Sequence, residues 1–192
     1  MFKKRIFTPK TFTLSLIGLV AGLPGSIASR LRKGISHAFA EMLRLATTSV
    51  NGCRYCSYVH SKIAMRAGIT REEIDLLLKG EIGGEIDSKE APGLLFAQHY
   101  AEYGGKPDKA MISRLIEIYG DKLAKDIITF VREIQFANLS GNTFDAFLSR
   151  LKGDPASESS LLFEAFFFIV SLPIQGPVHL AMKMQSSEPD AQ

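Results

Sequence analysis

The sequence predicts an all-α fold, a compact bundle of helices. Apolar residues recur at intervals of three and four through most of the chain, which is the spacing of amphipathic helices. Glycine and proline turn signals separate these segments, and no long stretch alternates between apolar and polar residues as a β-strand would. The composition, 46% hydrophobic and 22% charged, is that of a globular protein, so the 192 residues can bury a substantial core.

Residues 1–34 form a basic and apolar N-terminal segment that has no acidic residue. Its basic start, apolar run and small residues at 26–28 also match the three parts of a secretory signal. Pro9, Lys10 and several glycines interrupt this pattern, and the apolar stretch is too short to predict a transmembrane helix. We therefore expect an ordered helix that packs on the core, with apolar residues at helical spacing at Leu14, Ile17 and Val20.

The rest of the chain is predicted to form one helical domain, residues 35–185, followed by a mobile polar tail at 186–192. Gly68 ends one helix, and Thr70 with Glu73 forms a capping box at the start of the next. Pro92 suits the first turn of a later helix. The predicted helices span residues 35–50, 53–67, 70–78, 91–103, 109–119, 121–140, 143–151 and 161–172.

The chain has two cysteines, and they lie three residues apart, with a histidine four residues after the second. A helix turns about 100° per residue, so Cys53, Cys56 and His60 share one stripe. Asn51-Gly52 predicts a helix start, which puts Cys53 in a first turn where unpaired backbone N–H groups favour a thiolate. A thiolate attacks peroxides and disulfides, so the pattern predicts dithiol redox chemistry.

Three other interpretations of the cysteine pair are weaker. A structural zinc site needs four ligands, and His37, His99 and His179 supply no second ligand pair, so no metal is expected. The two cysteines could also be small buried core residues without chemistry. That is the ordinary interpretation of a lone cysteine, but it is a weaker interpretation of two cysteines at this spacing. A thioredoxin-like fold requires a strand before the pair, whereas residues 38–50 have a helical pattern.

Four residues stand at fixed spacings: eleven residues separate Glu41 from Cys53, two separate Cys53 from Cys56, and three separate Cys56 from His60. This motif resembles the signature of the alkylhydroperoxidase D-like group. That group lies within the carboxymuconolactone decarboxylase family. The resemblance covers residues 35–85, including Ala64, Gly68 and Ile69, with a weaker second match at residues 136–142. The cysteine pair favours the peroxidase branch over the decarboxylase branch. The resemblance implies a helical bundle of the alkylhydroperoxidase D-like type.

The resemblance also implies residue roles in a thiol-dependent peroxidase. Cys56 attacks the peroxide and Cys53 resolves the sulfenic acid to a disulfide, although the helix dipole alone favours Cys53 as the attacker. His60 is the general base for Cys56, and Glu41 orients its imidazole or relays its proton. Tyr55 and Asn142 are candidates for lining the substrate pocket. Tyr55 stands where the group's type members carry a histidine, which leaves the substrate open.

The expected partners are a peroxide or other small molecule, an external dithiol reductant and further copies of the chain, and neither a nucleic acid nor a membrane is expected. No cofactor is expected. Proteins of the resembled family are trimers or hexamers, and the aromatic helix at 161–172, with Phe163 and residues 166–168, is expected at a subunit interface because it is too short to span a membrane. The basic excess, net charge +3, lacks the aromatic interleaving of a nucleic-acid surface. The pair of thiols indicates a reducing, cytoplasmic location, with export as the alternative if residues 1–28 act as a signal.

Two other function classes stay open at the level of sequence. One is a decarboxylase-type lyase, which needs a carboxylate site and does not need both thiols. The other is a redox-sensing interaction protein whose disulfide switches an assembly.

Overall fold

A computed structural model describes residues 2–32, 34–83 and 86–187. Seven helices follow one another in this part of the chain, and the predicted all-α class is confirmed. Their bounds are α1 Pro9–Arg32, α2 His37–Asn51, α3 Arg54–Arg66, α4 Arg71–Lys79, α5 Ala91–Glu102, α6 Lys109–Leu151 and α7 Leu161–Ser187. Among the described residues there is no strand, and Phe2 and Ala156 form one isolated bridge.

Helix α2 lies at the centre of the bundle and packs against α3, α4, α5 and α6. One side of α2 supplies the middle of the main core, which the other helices close around. Gly93 of α5 allows the closest approach, because a Cβ there would meet the ring of Phe39 at 2.7 Å. The main core includes Phe39, Leu43, Leu45, Leu77, Leu94, Phe96, Ile127 and Val131.

The short helices begin and end where the sequence predicts, because their caps are encoded locally. Ser36 accepts the backbone N–H of Phe39 at the start of α2, and Gly52 ends α2 in the left-handed conformation. Thr70 and Glu73 form the predicted capping box of α4, and Gly80 ends that helix. These caps fix the chain direction on both sides of the cysteine pair.

Helix α6 corrects the predicted boundaries. The predicted break near residue 120 is present, since Gly120 has φ 72° inside the helix. The predicted break between residues 140 and 143 is wrong, because the helix continues through Gly141 and Asn142. Glycine in a helix interior normally costs stability relative to alanine, so its presence at 141 calls for a packing reason, which the cysteine pair provides.

Helix α7 is longer than predicted. It continues through Pro173 and Pro177 to Ser187, so the predicted end at residue 172 is wrong. The phenylalanines do not form one buried set either: Phe167 is buried against Phe7 and Phe12, whereas Phe166 is exposed. Of the predicted mobile tail, residues 188–192 lie outside the described residues, as do Met1 and Lys33 of the predicted N-terminal segment.

Two helices of the described chain, α1 and α7, are long and apolar enough to cross a membrane by length and composition. The arguments that both apolar stretches are too short to do so are therefore wrong. A signal sequence and a core helix meet the same criteria, so helix length alone assigns neither a role nor a location.

Candidate active site

The predicted carboxylate–imidazole pair is formed between α2 and α3. Glu41 lies on α2 and is only 2% exposed, and its Oε2 lies 2.7 Å from Nδ1 of His60 on α3. Arg44, one turn after Glu41, donates to the other carboxylate oxygen. With Nδ1–H donating to the carboxylate, Nε2 of His60 is left as the basic nitrogen. The carboxylate therefore orients the ring and fixes its tautomer.

Glu41 is held in its charged form despite its burial. Burial by itself raises the pKa of this carboxyl, but the hydrogen bond from His60 and the positive charge of Arg44 outweigh it, and the pKa of Glu41 is lowered from its ordinary value. Because the pKa of Glu41 is lower in the folded than in the unfolded chain, its ionised form stabilises the fold at any pH above the ordinary carboxyl pKa. This stabilisation is lost as the pH falls through the pKa of the folded state. At neutral pH the pair is therefore ready to stabilise an imidazolium at His60.

The two thiols lie together at the start of α3, where Cys53 is the N-cap. Its Sγ accepts the backbone N–H of Cys56 at 3.3 Å and lies 2.7 Å from Sγ of Cys56. Both cysteines are free; Cys53 is 0% and Cys56 7% exposed. The sequence placed Cys53 inside the first turn, and the structure places it one position earlier, where its sulfur satisfies an unpaired helix N–H.

The surroundings of the two sulfurs push their pKa values apart. Burial raises the pKa of Cys53, but the hydrogen bond with the Cys56 thiol, the backbone N–H of Cys56 and the charge of Lys4 outweigh it, so the pKa of Cys53 is lowered. The pKa of Cys56 is raised well above its ordinary value, first because of its hydrogen bond with Cys53 and second because it is buried. The surroundings therefore favour ionisation of Cys53 over Cys56, and the two thiols titrate as a coupled pair.

A thiolate titration of the reduced protein should resolve this pair. We expect one thiolate per chain to form with an apparent pKa below the ordinary cysteine value of about 8.5, and the second well above it. Ultraviolet thiolate absorbance against pH measures both steps. Two thiolates that form together near the ordinary value would show that the sulfurs do not share a proton.

Gly141 of α6 forms the wall behind Cys53. A Cβ at this position would lie 2.7 Å from Sγ of Cys53 and 3.2 Å from the ring of Tyr55. This close approach is the packing reason for a glycine inside the helix. The segment around it, residues 136–142, is the one that carries the weaker second resemblance in the sequence.

Gly141→Ala is expected to destabilise the reduced protein by about 1–3 kcal/mol, the usual cost of inserting a methyl group into a packed core. The sulfur or α6 must shift to admit the methyl group. Urea unfolding measures the change. Gly18→Ala is the matched control, because Gly18 is also inside a helix but a Cβ there meets nothing within 4 Å. If G141A is as stable as the wild type, α6 and the Cys53 sulfur can move apart to admit the methyl group without loss of stability.

Tyr55 is buried beside a second polar cluster that the sequence did not reveal. Its hydroxyl lies 2.8 Å from Nη2 of Arg54, 3.2 Å from Nδ1 of His179 and 3.3 Å from Asp145. Burial and the charge of Asp145 raise the pKa of Tyr55, so the phenol stays protonated. Arg54 and Lys4 both pair with Asp145. Asp145 therefore links Lys4 of the N-terminal segment to Arg54 and Tyr55, next to the cysteine pair.

That cluster borders a cavity of about 560 Å³, which Lys4, Arg54, Asp145 and His179 line. Burial, then the nearby cations, lower the pKa of His179. His179 is a lone titratable residue in the long apolar stretch of α7, and that isolation was the signal that could have drawn attention to it.

Asn142, the other predicted pocket residue, is buried and links two parts of the backbone by hydrogen bonds. Its Nδ2 donates to the backbone carbonyl of Asn51 at 2.8 Å and to that of Arg5 at 3.0 Å. It lines neither of the two cavities described here. Asn142 thus connects the end of α2, next to the cysteine pair, to the N-terminal segment.

A cavity of about 640 Å³ lies on the histidine side of the site. Glu41 and His60 line it, while neither sulfur does. Its walls come from α1, α2, α3 and α6, with the cationic side chains of Arg30 and Arg44 over the ring of Phe130. The structure thus joins Glu41 to His60 and Cys53 to Cys56, and the described residues show no hydrogen bond between His60 and either sulfur.

Within the described residues, no group of three or more histidine, cysteine or acidic side chains is arranged to hold a metal ion. The candidate site thus consists of the two thiols and the Glu41–His60 pair. Arg44 was missed in the sequence, although its position three residues after Glu41 on a helix is a pairing signal.

Residues 19–82 of the chain match a family model, that of the carboxymuconolactone decarboxylase family. The matched third of the chain includes Glu41, both cysteines and His60, so this segment is similar to the family that the motif resembles. Members of this family are generally enzymes, with peroxidase or decarboxylase activity. No curated protein and no solved structure matches the chain.

Proposed function

We propose that this chain, with its carboxymuconolactone decarboxylase family segment at residues 19–82, is a thiol-dependent peroxidase that reduces alkyl hydroperoxides. The observation that carries the proposal is the pair of free thiols 2.7 Å apart at a helix N-terminus, with their pKa values shifted in opposite directions. Inert structural cysteines need no such difference, whereas a nucleophile and its resolving partner do. The Glu41–His60 pair supplies proton transfer, with His60 on the same helix as Cys56 and Glu41 on the neighbouring α2.

The first step is attack by Cys56 on the hydroperoxide. Cys56 is the more exposed of the two cysteine residues, and His60 follows it by one turn of α3. Nε2 of His60 takes the thiol proton, and Glu41 stabilises the imidazolium that results. The Cys56 thiolate then attacks the terminal peroxide oxygen and the O–O bond breaks. Cys56 becomes a sulfenic acid, and the imidazolium protonates the departing alkoxide to an alcohol.

The second step is resolution by Cys53, whose surroundings lower its pKa and so favour its thiolate. Its thiolate attacks the sulfur of the Cys56 sulfenic acid, an S–S bond forms, and hydroxide leaves and takes up a proton from solvent to become water. The balance is two thiols and one hydroperoxide giving one disulfide, one alcohol and one water. An external dithiol then reduces the disulfide by thiol–disulfide exchange.

The test is loss of an alkyl hydroperoxide in the presence of a dithiol, coupled to intact mass of the protein. We expect turnover, and we expect a stoichiometric amount of peroxide without reductant to remove two hydrogens from the chain, which dithiothreitol restores. Thiol titration should fall from two to none. Persistence of two free thiols after peroxide treatment would overturn the proposal.

The lyase alternative is favoured by one observation, the two arginines in the histidine-side cavity. Arg30 and Arg44 provide positive charge for a substrate carboxylate there, although each also pairs with a glutamate. A lyase of this type needs the Glu41–His60 pair but not the thiols. Decarboxylation of a lactone acid that persists in a Cys53→Ser, Cys56→Ser double variant would favour it over the peroxidase.

A further inference from the structure

Exposed apolar side chains are concentrated on two helices. Of the 21 large hydrophobic residues that the structure leaves exposed, 16 belong to α1 or α7. We call these 16 the apolar face; they are Leu14, Leu16, Ile17, Val20, Leu23, Ile27, Leu31, Leu161, Leu162, Phe166, Ile169, Val170, Leu172, Ile174, Leu180 and Met184. A surface of this extent is unusual on a protein that faces only water, so it indicates a contact with an apolar environment.

Helix α1 buries polar residues and exposes apolar ones, which is the reverse of the pattern in a surface helix of a soluble protein. Its buried residues are Ser26 and Ser29, and Ser26 donates to Glu133 of α6. Its large aliphatic residues point away from the protein, and just 6% of its apolar stretch is buried. Helices that face lipid have this arrangement: their small residues pack against protein, and their large aliphatic residues point away from it.

Helix α7 repeats this pattern. Its buried residues include Glu164, Ser171 and Gln175, and Glu164 forms a two-pronged ion pair with Arg150 of α6. Aliphatic residues and Phe166 cover its outer side. The two helices both pack on α6 and meet each other at the rings of Phe12 and Phe167, 5.4 Å apart.

We propose that the apolar face docks onto a lipid bilayer with anionic headgroups. Protein–protein interface centres are enriched in aromatic residues, methionine and arginine, whereas 14 of the 16 residues of the apolar face are aliphatic and just Phe166 and Met184 are of those types. Glu164 is the sole acidic residue of the two helices and is buried, while Lys10, Arg30, Arg32 and Lys183 are basic. The outer side of both helices therefore carries no charge that anionic headgroups would repel.

The two helices lie in the plane of the bilayer surface and do not cross it. Arg30 pairs with Glu133 and Arg32 with Asp126, so α1 is attached to charged residues of α6. A spanning α1 would carry these α6 side chains into the hydrocarbon, where charged groups are costly. An in-plane helix leaves them on the aqueous side and buries the aliphatic residues at the headgroup boundary.

Docking would set the substrate class of the proposed peroxidase, and this consequence rests on the proposed function. Ser29 and Arg30 of α1 line the cavity that contains Glu41 and His60, and Ile27 and Leu31 of the apolar face flank them in sequence. The site therefore adjoins the docked helix. Hydroperoxides of membrane lipids are the substrates that reach such a cavity without first entering water.

The test exploits the absence of tryptophan from the chain. Single reporters are Ile17→Trp on α1, which is 61% exposed, and Ile169→Trp on α7, which is 69% exposed; Leu95→Trp on α5, 52% exposed, is the control. The full chain is mixed with vesicles of phosphatidylcholine and phosphatidylglycerol in equal parts. We expect the emission of both reporters to shift to the blue and to be quenched when the acyl chains are brominated, while the control does not change.

Unchanged emission of both α1 and α7 reporters with vesicles would overturn the proposal. So would reporters that are blue-shifted without lipid and insensitive to brominated chains, in a protein that light scattering identifies as an oligomer. That result would assign the apolar face to a second copy of the chain, the occupant that the sequence analysis expected. Neither measurement depends on peroxidase activity, so failure of docking and failure of the proposed function are distinguishable.

Discussion

Replacement of Cys56 by serine is expected to abolish hydroperoxide turnover. The proposed first step forms a bond from this sulfur to oxygen, and a serine hydroxyl at the same place is neither acidic enough nor nucleophilic enough to replace it. Steady-state hydroperoxide loss with an external dithiol measures the effect. Tyr58→Phe, on the same helix, is the control and should keep the wild-type rate, since the Tyr58 hydroxyl contacts Lys62 and not the thiols.

Cys53→Ser is expected to stop the cycle one step later. The first attack on peroxide is still possible, but no second thiol is present, so a sulfenic acid accumulates at Cys56 and a dimedone adduct of that residue is detected by mass. Serine is also a preferred N-cap, so the start of α3 is preserved. A dimedone adduct that appears in Cys56→Ser instead, at Cys53, would reverse the order of the two sulfurs.

Substitutions in the Glu41–His60 pair should lower hydroperoxide turnover without abolishing it. His60→Ala should lower the rate by about 10²–10⁴-fold, the usual contribution of a general base, while disulfide formation from the same cysteines continues slowly. Glu41→Gln should lower the rate by less, because the histidine keeps a hydrogen-bond acceptor but loses the stabilising charge. Equal rates in wild type and His60→Ala would remove the histidine from the mechanism.

The parts of this fold that the sequence predicts are those in which the determining interactions are local. The capping box of α4 lies within three residues of the helix start, so Thr70 and Glu73 are predicted from the chain alone, and the caps that the structure shows at Ser36, Gly52 and Gly80 are equally local. The pairing of Glu41 with His60 follows from a motif with fixed spacing. The cysteine pair likewise needs one helix start and nothing from the rest of the molecule.

The parts that could not be predicted depend on contacts between distant residues. The sequence predicts a break at Gly141, because nothing in its neighbourhood reveals that the sulfur of Cys53 lies against it. The cluster of Tyr55 with Asp145 and His179 joins three segments, and only the folded chain brings them together. The sequence also predicts an end for the last helix before Pro173, whereas α7 packs on α6 and continues past this residue.

Arg150→Ala is expected to produce the largest loss of stability among surface-proximal substitutions. Arg150 donates from Nε and Nη2 to both oxygens of Glu164 at 2.6 and 2.8 Å, and Glu164 is fully buried. Removal of the arginine leaves a buried carboxylate without its partner. A fully buried pair loses about 3–5 kcal/mol in this way, and we expect about 2–3 kcal/mol because the Arg150 side chain is itself 23% exposed.

The matched control is Arg114→Ala, which removes an arginine from an exposed pair with Glu117 on the same helix. Exposed pairs contribute about 0–1 kcal/mol, so this variant should unfold in urea almost like the wild type. A double variant, Arg150→Met with Glu164→Leu, removes the charge together with its partner and should recover most of the lost stability. If Arg150→Ala instead unfolds like Arg114→Ala, the buried glutamate has another source of stabilisation, and α7 does not depend on this pair for its attachment to α6.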